Sequence, residues 1–316
     1  MEQLRKVVFF GTHELAVPAL EALAALELVP RLVVTPPRAG FETDGDAPPH
    51  PVQEWAAAHG VTVRSPRAAG PELHQEVAAL APDLLVVVDY GRPLPAELAA
   101  AAARGAVGVH PSLLPKLRGP HALRAALAAG ESKSGVTVYL VDEEPWGGPV
   151  MYQEELAIGP RDTFADVLPR AGALAADLLG QALVKIDRSK GKPRGKAQNH
   201  KIATHTPRFG GQHRKALWTL ESAQIYDRLR AYTPPGLLAY YRYRPVEILN
   251  GIAMDWVVAP NGETGTYLGL RQGKLAVLCG GATVFGIEQL CRPGTRRLSA
   301  SDFAHQESVA VGDRFA

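Results

Sequence analysis

Short apolar segments alternate with helical segments over the first two thirds of the sequence, and this alternation constrains the fold more than any other feature. The apolar segments are rich in valine, as in DLLVVV at residues 83–88. Strands buried on both faces of a parallel sheet have this composition, so the pattern predicts an open α/β sheet. The predicted strands are residues 6–10, 30–34, 61–63, 83–88, 105–109, 135–141 and 150–157. The predicted helices are residues 14–25, 52–59, 72–80, 94–103, 120–129 and 162–185.

The chain is long enough for two domains, at 316 residues. Its composition changes at residue 187, where lysine and arginine begin to alternate with glycine and proline, as in a solvated linker. We therefore expect a first domain over 1–186, a basic linker over 187–215 and a second domain over 216–316. A helix at 219–231 and evenly spaced short strands predict a small β-barrel for the second domain. These strands are residues 237–243, 246–249, 266–270, 275–278 and 283–289.

Composition excludes several classes of protein. The formal net charge of +2 gives no strong attraction of the whole molecule to nucleic acid. Two cysteines, Cys279 and Cys291, are too few for a disulfide scaffold. No apolar run approaches the roughly 20 residues that a membrane span needs, and no signal peptide precedes the first strand. The sequence therefore predicts a soluble cytoplasmic protein.

The most informative segment for chemistry is residues 108–119, GVHPSLLPKLRG. It places His110 at the carboxyl end of a strand, where open α/β sheets gather their functional side chains, and a histidine there can move protons. The segment resembles the active-site loop of the folate-dependent formyltransferases, which reads Asn-x-His-x-Ser-Leu-Leu-Pro-x-aromatic-Arg-Gly. Gly108 stands at the asparagine position and Leu117 at the aromatic position.

Three further segments resemble the methionyl-tRNA formyltransferase family, in the same order along the chain. They are VVFFGTHELAVP at 7–18, VVVDYG at 86–91, and GVTVYLVDEEPWGGP at 135–149. The resemblance implies a Rossmann-like, mostly parallel formyltransferase domain followed by an oligonucleotide-binding-like (OB-like) barrel. It also implies 10-formyltetrahydrofolate as formyl donor and the amino group of methionyl-tRNA as acceptor.

The resemblance implies a catalytic asparagine, histidine and aspartate, of which this sequence keeps one. His110 is present, but the asparagine position is Gly108 and the aspartate position is Trp146. The asparagine would donate to the developing oxyanion, and the carboxylate would work with the histidine in proton transfer. Asp89, where the family has alanine, and Glu144 are possible substitutes for the carboxylate; each is also compatible with a solvated or turn position.

The resemblance assigns two sets of binding residues and no metal. The ten histidines show no metal-ligand spacing backed by a carboxylate, so no metal is expected. The implied cofactor-binding residues are Val88, Tyr90, Gly91, Val141, Asp142 and Glu143. The implied substrate-binding residues are Phe10, Gly11, Thr12, Ser112 and Arg118.

Evidence for RNA binding is divided. The loop at 35–46, basic in the family, carries one arginine and three acids here, and acids repel phosphate. The basic linker favours contact with tRNA or another RNA, but its composition equally suits an exposed connector.

Three functions remain open from the sequence. Losing one oxyanion donor typically costs about 100- to 1,000-fold in rate, and losing a general acid or base about 100- to 10,000-fold. The first is therefore a methionyl-tRNA formyltransferase-like protein that is weak or inactive. The second is a non-catalytic binding, regulatory or scaffold protein that has repurposed the cleft. The third is a formyltransferase acting on another amine, such as an amino sugar nucleotide.

Overall fold

The computed structural model describes residues 3–37, 49–189, 191–206, 211–258 and 262–316. The chain divides into two compact units. The first comprises residues 1–123, 133–157 and 168–208, and the second comprises 124–132, 158–167 and 209–316. Most of the predicted acidic loop at 35–46 lies outside the described residues.

The first unit is built on a seven-stranded sheet in the order β3-β2-β1-β4-β5-β6-β7. Strands β1 to β5 are parallel, and β6 and β7 are antiparallel to their neighbours. The mostly parallel α/β sheet that the sequence predicts is confirmed, including the β6–β7 hairpin. The strands are β1 Val7–Gly11, β2 Leu32–Val34, β3 Val63–Arg64, β4 Leu84–Val88, β5 Ala106–His110, β6 Lys133–Leu140 and β7 Val150–Ala157.

The helices follow the predicted alternation with one clear exception. The predicted helix at 94–103 is wrong in extent, because α4 covers only Ala96–Ala99. The backbone of Ala103 and Arg104 instead donates to the carbonyls of Pro82 and Asp83, which leads the chain into β5. The first six helices are α1 Ala16–Ala25, α2 Pro51–Ala58, α3 Pro71–Ala79, α4, α5 Ala122–Ala128 and α6 Phe164–Arg188.

Helix α6 is, within the described ranges, the one helix long and apolar enough to cross a membrane by length and composition. The sequence analysis did not expect such a segment. Its apolar side chains form a stripe at helical spacing that is buried in the protein, as is usual for a core helix. Buried members of the stripe in the first unit include Ala171, Ala175, Leu178, Leu179, Ala182, Leu183 and Ile186.

The second unit contains an antiparallel sheet in the order β10-β11-β12-β9-β8, with β13 paired to β12. The bridges Tyr241 to Phe315 and Thr266 to Arg314 connect the chain end with both borders of this sheet. The strands are β8 Leu237–Tyr241, β9 Arg244–Val257, β10 Tyr267–Arg271, β11 Lys274–Leu278, β12 Thr283–Cys291 and β13 Leu298–Ser299. Its helices are α7 Ser222–Tyr232 and α8 Ala300–Gln306. The antiparallel β-domain is confirmed, and the OB-like topology stays a prediction.

The first part of the predicted basic linker is not a free connector. Lys196 exchanges two backbone hydrogen bonds with Val150 of β7. Thr204 and Thr206 hydrogen-bond to the backbone of Arg118, at 2.8 Å each. The segment 191–206 therefore packs as an extra layer on the first unit, and we call it the strap. Its basic composition predicts a solvated linker, but its backbone hydrogen bonds to Val150 and Arg118 hold it on the first unit.

Candidate functional site

A cleft lies at the carboxyl ends of β4 and β5, where the sequence places the predicted chemistry. Gly108 and His110 are two residues apart on β5 and share one face of the sheet. The antiparallel register sets Tyr139 of β6 directly opposite Gly108, and Thr137 opposite His110. His110, Tyr139 and Trp146 all line the cleft. Pairing of β5 with β6 therefore decides which side chains meet His110.

His110 is buried, with 4% of its surface exposed. Its Nε2 lies 2.9 Å from the carbonyl oxygen of Leu117. Because a carbonyl only accepts, Nε2 carries the proton in the neutral ring and Nδ1 keeps its lone pair. Burial lowers the pKa of His110 to about 4, against the opposing effects of this hydrogen bond and of the Asp89 charge. The imidazole is therefore a neutral, oriented proton acceptor at neutral pH.

The loop after β5 is fixed by its own polar side chains. The Ser112 hydroxyl donates to the carbonyl of Lys116 at 2.7 Å, and the Thr137 hydroxyl donates to the carbonyl of Ser112 at 2.6 Å. Only 1% of Ser112 is exposed. The predicted contact of Ser112 with substrate is not supported, because its hydroxyl closes the turn that holds Leu117 against His110.

Arg118 is the largest fully buried side chain, 1% exposed. Its guanidinium donates to Glu144 Oε1 at 3.1 Å, Gln198 Oε1 at 2.8 Å and His200 Nδ1 at 3.3 Å. Gln198 in turn donates to the carbonyls of Trp146, at 2.9 Å, and Gly148, at 2.7 Å. The structure therefore gives Arg118 a role other than the predicted substrate contact: it joins the His110 loop, the Trp146 loop and the strap.

Trp146 stands in the cleft where the resemblance places a catalytic aspartate. Its ring centroid lies 6.3 Å from that of His110, with the two planes tilted by 47°. Its backbone φ of 58° falls in the left-handed region, which large side chains rarely adopt. An indole so close to the imidazole supplies apolar bulk and no carboxylate.

The two candidate substitutes for that carboxylate have different surroundings. Asp89 follows β4 and lines the cleft, and its Oδ2 lies 3.2 Å from Nδ1 of His13. Burial lowers the pKa of His110, and the negative charge of Asp89 opposes part of that lowering. Glu144 also borders the cleft, but its carboxylate is 54% exposed and pairs with Arg118. Asp89 therefore interacts electrostatically with His110, whereas the Glu144 carboxylate is bound by Arg118.

The implied binding residues separate into those on the cleft and those beneath it. Tyr90, Gly91, Val141 and Asp142 line the cleft, whereas Glu143 faces a neighbouring depression beside Lys192 and Pro193. Val88, Phe10, Gly11 and Thr12 are buried in and beside the strands and are not among its lining residues. Direct contact of these four with a ligand is not supported by the structure.

Three residues of this site were missed by the sequence analysis: His13, Tyr139 and Gln198. Tyr139 could have been found from the antiparallel pairing of 135–141 with 105–110, which sets an aromatic residue opposite Gly108. His13 and Gln198 carry no local signal. Asp89 lies 76 residues from His13, and the hydrogen-bond partners of the Gln198 side chain lie 50 to 80 residues away in sequence. Among the described residues, no group of three or more His, Cys, Asp or Glu could hold a metal ion.

Comparisons with known proteins agree on one family. Residues 5–183 match the formyl transferase family model, and residues 212–308 match the model of the formyl transferase C-terminal domain. A methionyl-tRNA formyltransferase from Aromatoleum aromaticum is 34% identical over 315 residues, which cover 98% of this chain and 96% of that protein. One from Anaeromyxobacter dehalogenans (strain 2CP-1) is 35% identical over 305 residues, covering 95% and 96%.

A similar fold occurs in the N-formyltransferase from Helicobacter canadensis, whose structure holds folinic acid and dTDP-3-aminofucose. The TM-score is 0.65, and the match covers 90% of this chain and 98% of that one. At 17% identity this likeness shows the fold alone.

Proposed function

This chain belongs to the formyl transferase family, with methionyl-tRNA formyltransferases among its relatives, and we propose that it transfers a formyl group to the amino group of methionyl-tRNA. The donor is 10-formyltetrahydrofolate, and the protein acts in the cytoplasm. The rate is far below that of members with the full asparagine, histidine and aspartate set. The observation that carries the proposal is that His110, at the carboxyl end of β5, is neutral, buried and oriented by a hydrogen bond.

His110 supplies one part of the chemistry that acyl transfer to an amine needs. The attacking amine must lose a proton, and the free Nδ1 lone pair of His110 can accept it. A pKa of about 4 makes this histidine a weak base at neutral pH, so the driving force for proton transfer is small. Trp146 contributes no carboxylate to assist. Both features favour a low rate.

The cleft contains groups that suit a folate. The hydroxyl of Tyr90 is buried, borders the cleft and has no hydrogen-bond partner among the described residues. Such an orphaned polar group fits the polar edge of a pterin ring. Tyr90, Gly91, Val141 and Asp142 would hold the folate, which supplies the formyl carbon when bound.

The proposed RNA contact lies on the basic groups of the strap and the end of α6. Lys185, Lys192 and Arg194 line one depression together with Met151. Side chains of this kind neutralise phosphates and release counterions, so binding of tRNA should weaken steeply as salt rises.

The test is a formylation assay with 10-formyltetrahydrofolate and charged initiator methionyl-tRNA. We compare the wild type with His110→Ala and with His305→Ala, which removes an exposed histidine of α8. Turnover should fall at least about 100-fold in His110→Ala and remain unchanged in His305→Ala. A wild type whose turnover equals that of His110→Ala would contradict the proposal.

A non-catalytic folate-binding or tRNA-binding protein is the second candidate. The observation that favours it is the indole of Trp146 in place of the carboxylate, 6.3 Å from the His110 ring. Binding of both ligands without turnover would select this candidate.

A further inference from the structure

Tyr139 fills the space that a side chain at position 108 would take. A Cβ added to Gly108 would lie 2.5 Å from Cζ and 2.7 Å from the hydroxyl oxygen of Tyr139. Real Cβ contacts are essentially never this short, so the present orientation of Tyr139 requires a residue without a side chain at position 108. The end of the Tyr139 ring therefore occupies the place beside His110 where the family's asparagine amide would begin.

The group that fills this place is polar. Tyr139 lines the cleft with its hydroxyl beside Gly108, and no hydrogen bond to this hydroxyl is found among the described residues. Only 6% of the side chain is exposed. Burial, with a smaller contribution from the Asp142 charge, raises the pKa of Tyr139. The phenol therefore keeps its proton at neutral pH and is available as a donor.

The oxygen of a formyl group gains negative charge when an amine attacks the carbonyl carbon. A fixed donor in a site of low dielectric stabilises that charge, and the asparagine amide performs this task in the resembled family. A neutral phenol can do the same, because its hydroxyl donates a hydrogen bond without giving up the proton.

We propose that the Tyr139 hydroxyl replaces the missing asparagine amide as the hydrogen-bond donor to the carbonyl oxygen of the formyl group. This rests on the proposed function only in placing a formyl folate in the cleft. During transfer a bond forms between the amine nitrogen and the formyl carbon, and the bond between that carbon and N10 breaks. The amine loses one proton and N10 gains one, while Tyr139 donates without being consumed.

The first test compares two ligands that differ only in the formyl group. We measure dissociation constants of 10-formyl-5,8-dideazafolate and 5,8-dideazafolate by calorimetry, for the wild type and Tyr139→Phe. Tyr139→Phe should weaken the formyl ligand about tenfold, the effect of one hydrogen bond, and leave the other unchanged. Tyr90→Phe is the matched control, since loss of that hydroxyl should change both affinities by the same factor.

The outcomes separate this inference from the proposed function. A selective loss for the formyl ligand supports the Tyr139 donor even if the wild type shows no turnover. Equal affinities in wild type and Tyr139→Phe overturn it even if the wild type turns over. Absence of binding of both ligands to the wild type also overturns it. Where turnover is measurable, Tyr139→Phe should lower kcat by about 100-fold and raise the KM of the formyl donor by no more than the roughly tenfold loss of its affinity.

A second test addresses the shared space without any ligand. Gly108→Asn should lower the Tm by about 5 °C, because the new side chain meets the Tyr139 ring. Tyr139→Ala removes that ring, so Gly108→Asn should cost much less in the Tyr139→Ala background. Additive losses in the double variant would show that the two positions do not share the space and would overturn the inference.

Discussion

The two walls of the cleft differ in how far they keep the pattern of the formyl transferase family. The β5 wall, residues 105–119, keeps the histidine, the proline-bracketed loop and the Arg-Gly pair. The β6 wall, residues 133–148, carries Tyr139 opposite Gly108, and Trp146 where the resemblance places a catalytic acid. The first wall still orients His110 by a 2.9 Å hydrogen bond. The second places the Trp146 ring 6.3 Å from the imidazole, and Tyr139 lines the same cleft.

The difference teaches that the two walls fit each other across the sheet. The Tyr139 ring can take its present orientation only because Gly108 has no side chain. Gln198 and Arg118 hold the Trp146 loop by direct and relayed hydrogen bonds, so the altered wall is as firmly built as the retained one. Hydrogen bonds and close packing therefore hold both walls of the cleft in place.

Restoring the acid should have the largest effect. Trp146→Asp should raise formyl transfer by about 100- to 10,000-fold, the range for a general acid or base. The backbone tolerates the change, because aspartate adopts the left-handed conformation of residue 146 more readily than tryptophan. Turnover is measured beside Trp146→Asn, which opens the same space without a charge. Equal rates in the two variants would show that the bulk of Trp146, and not the missing carboxylate, limits formyl transfer.

Breaking the connection between the walls should have the next largest effect. Arg118→Ala should lower the free energy of unfolding by about 3 kcal/mol, since it leaves buried Gln198 without its partner and opens a cavity. Urea unfolding measures it. The matched control is Arg64→Ala, which removes an exposed pair with Glu76 and should cost about 1 kcal/mol or less. Similar losses in both variants would contradict the connecting role.

The burial of His110 should appear as a pH dependence of stability. Its pKa is lowered from 6.5 to about 4, so below pH 6.5 the unfolded chain takes up a proton that the folded chain refuses. The stability of the wild type relative to His110→Gln is thus fully present above that pH and falls as pH drops towards 4. We expect a loss of about 2 kcal/mol between pH 7.5 and pH 5. A difference that stays constant with pH would mean that His110 has the same pKa in the folded and the unfolded chain.

The smallest effect is expected at Glu144. Its ion pair is half exposed, so Glu144→Gln should change the free energy of unfolding by less than about 1 kcal/mol. Formyl transfer should not change, because the carboxylate is engaged by Arg118. Asp89→Asn is measured in parallel and should lower the pKa of His110 further, which NMR titration can follow. A large loss of turnover in Glu144→Gln would identify this residue as the substitute acid.

Much of the first unit could be predicted from the sequence, because its signals are local. Valine-rich runs between helical segments predict the parallel strands, and the hairpin of β6 and β7 is found where the pattern places it. Errors arose where distant groups decide the structure. Helix α4 is short because Ala103 and Arg104 bond to residues 82 and 83. The strap packs on the first unit through pairing with β7 and the Arg118 backbone, which its basic composition does not reveal.

By itself the sequence determined the fold class, the family, and the place of His110 at the end of β5, together with the replacements at positions 108 and 146. Only the tertiary structure decided which side chains occupy the space beside Gly108 and which polar groups connect the two walls of the cleft. Tyr139 meets Gly108 through the register of two strands 31 residues apart, and Arg118 meets Gln198 across 80 residues. A local pattern carries no record of such pairings, because they depend on which strands and segments pack side by side in the folded chain.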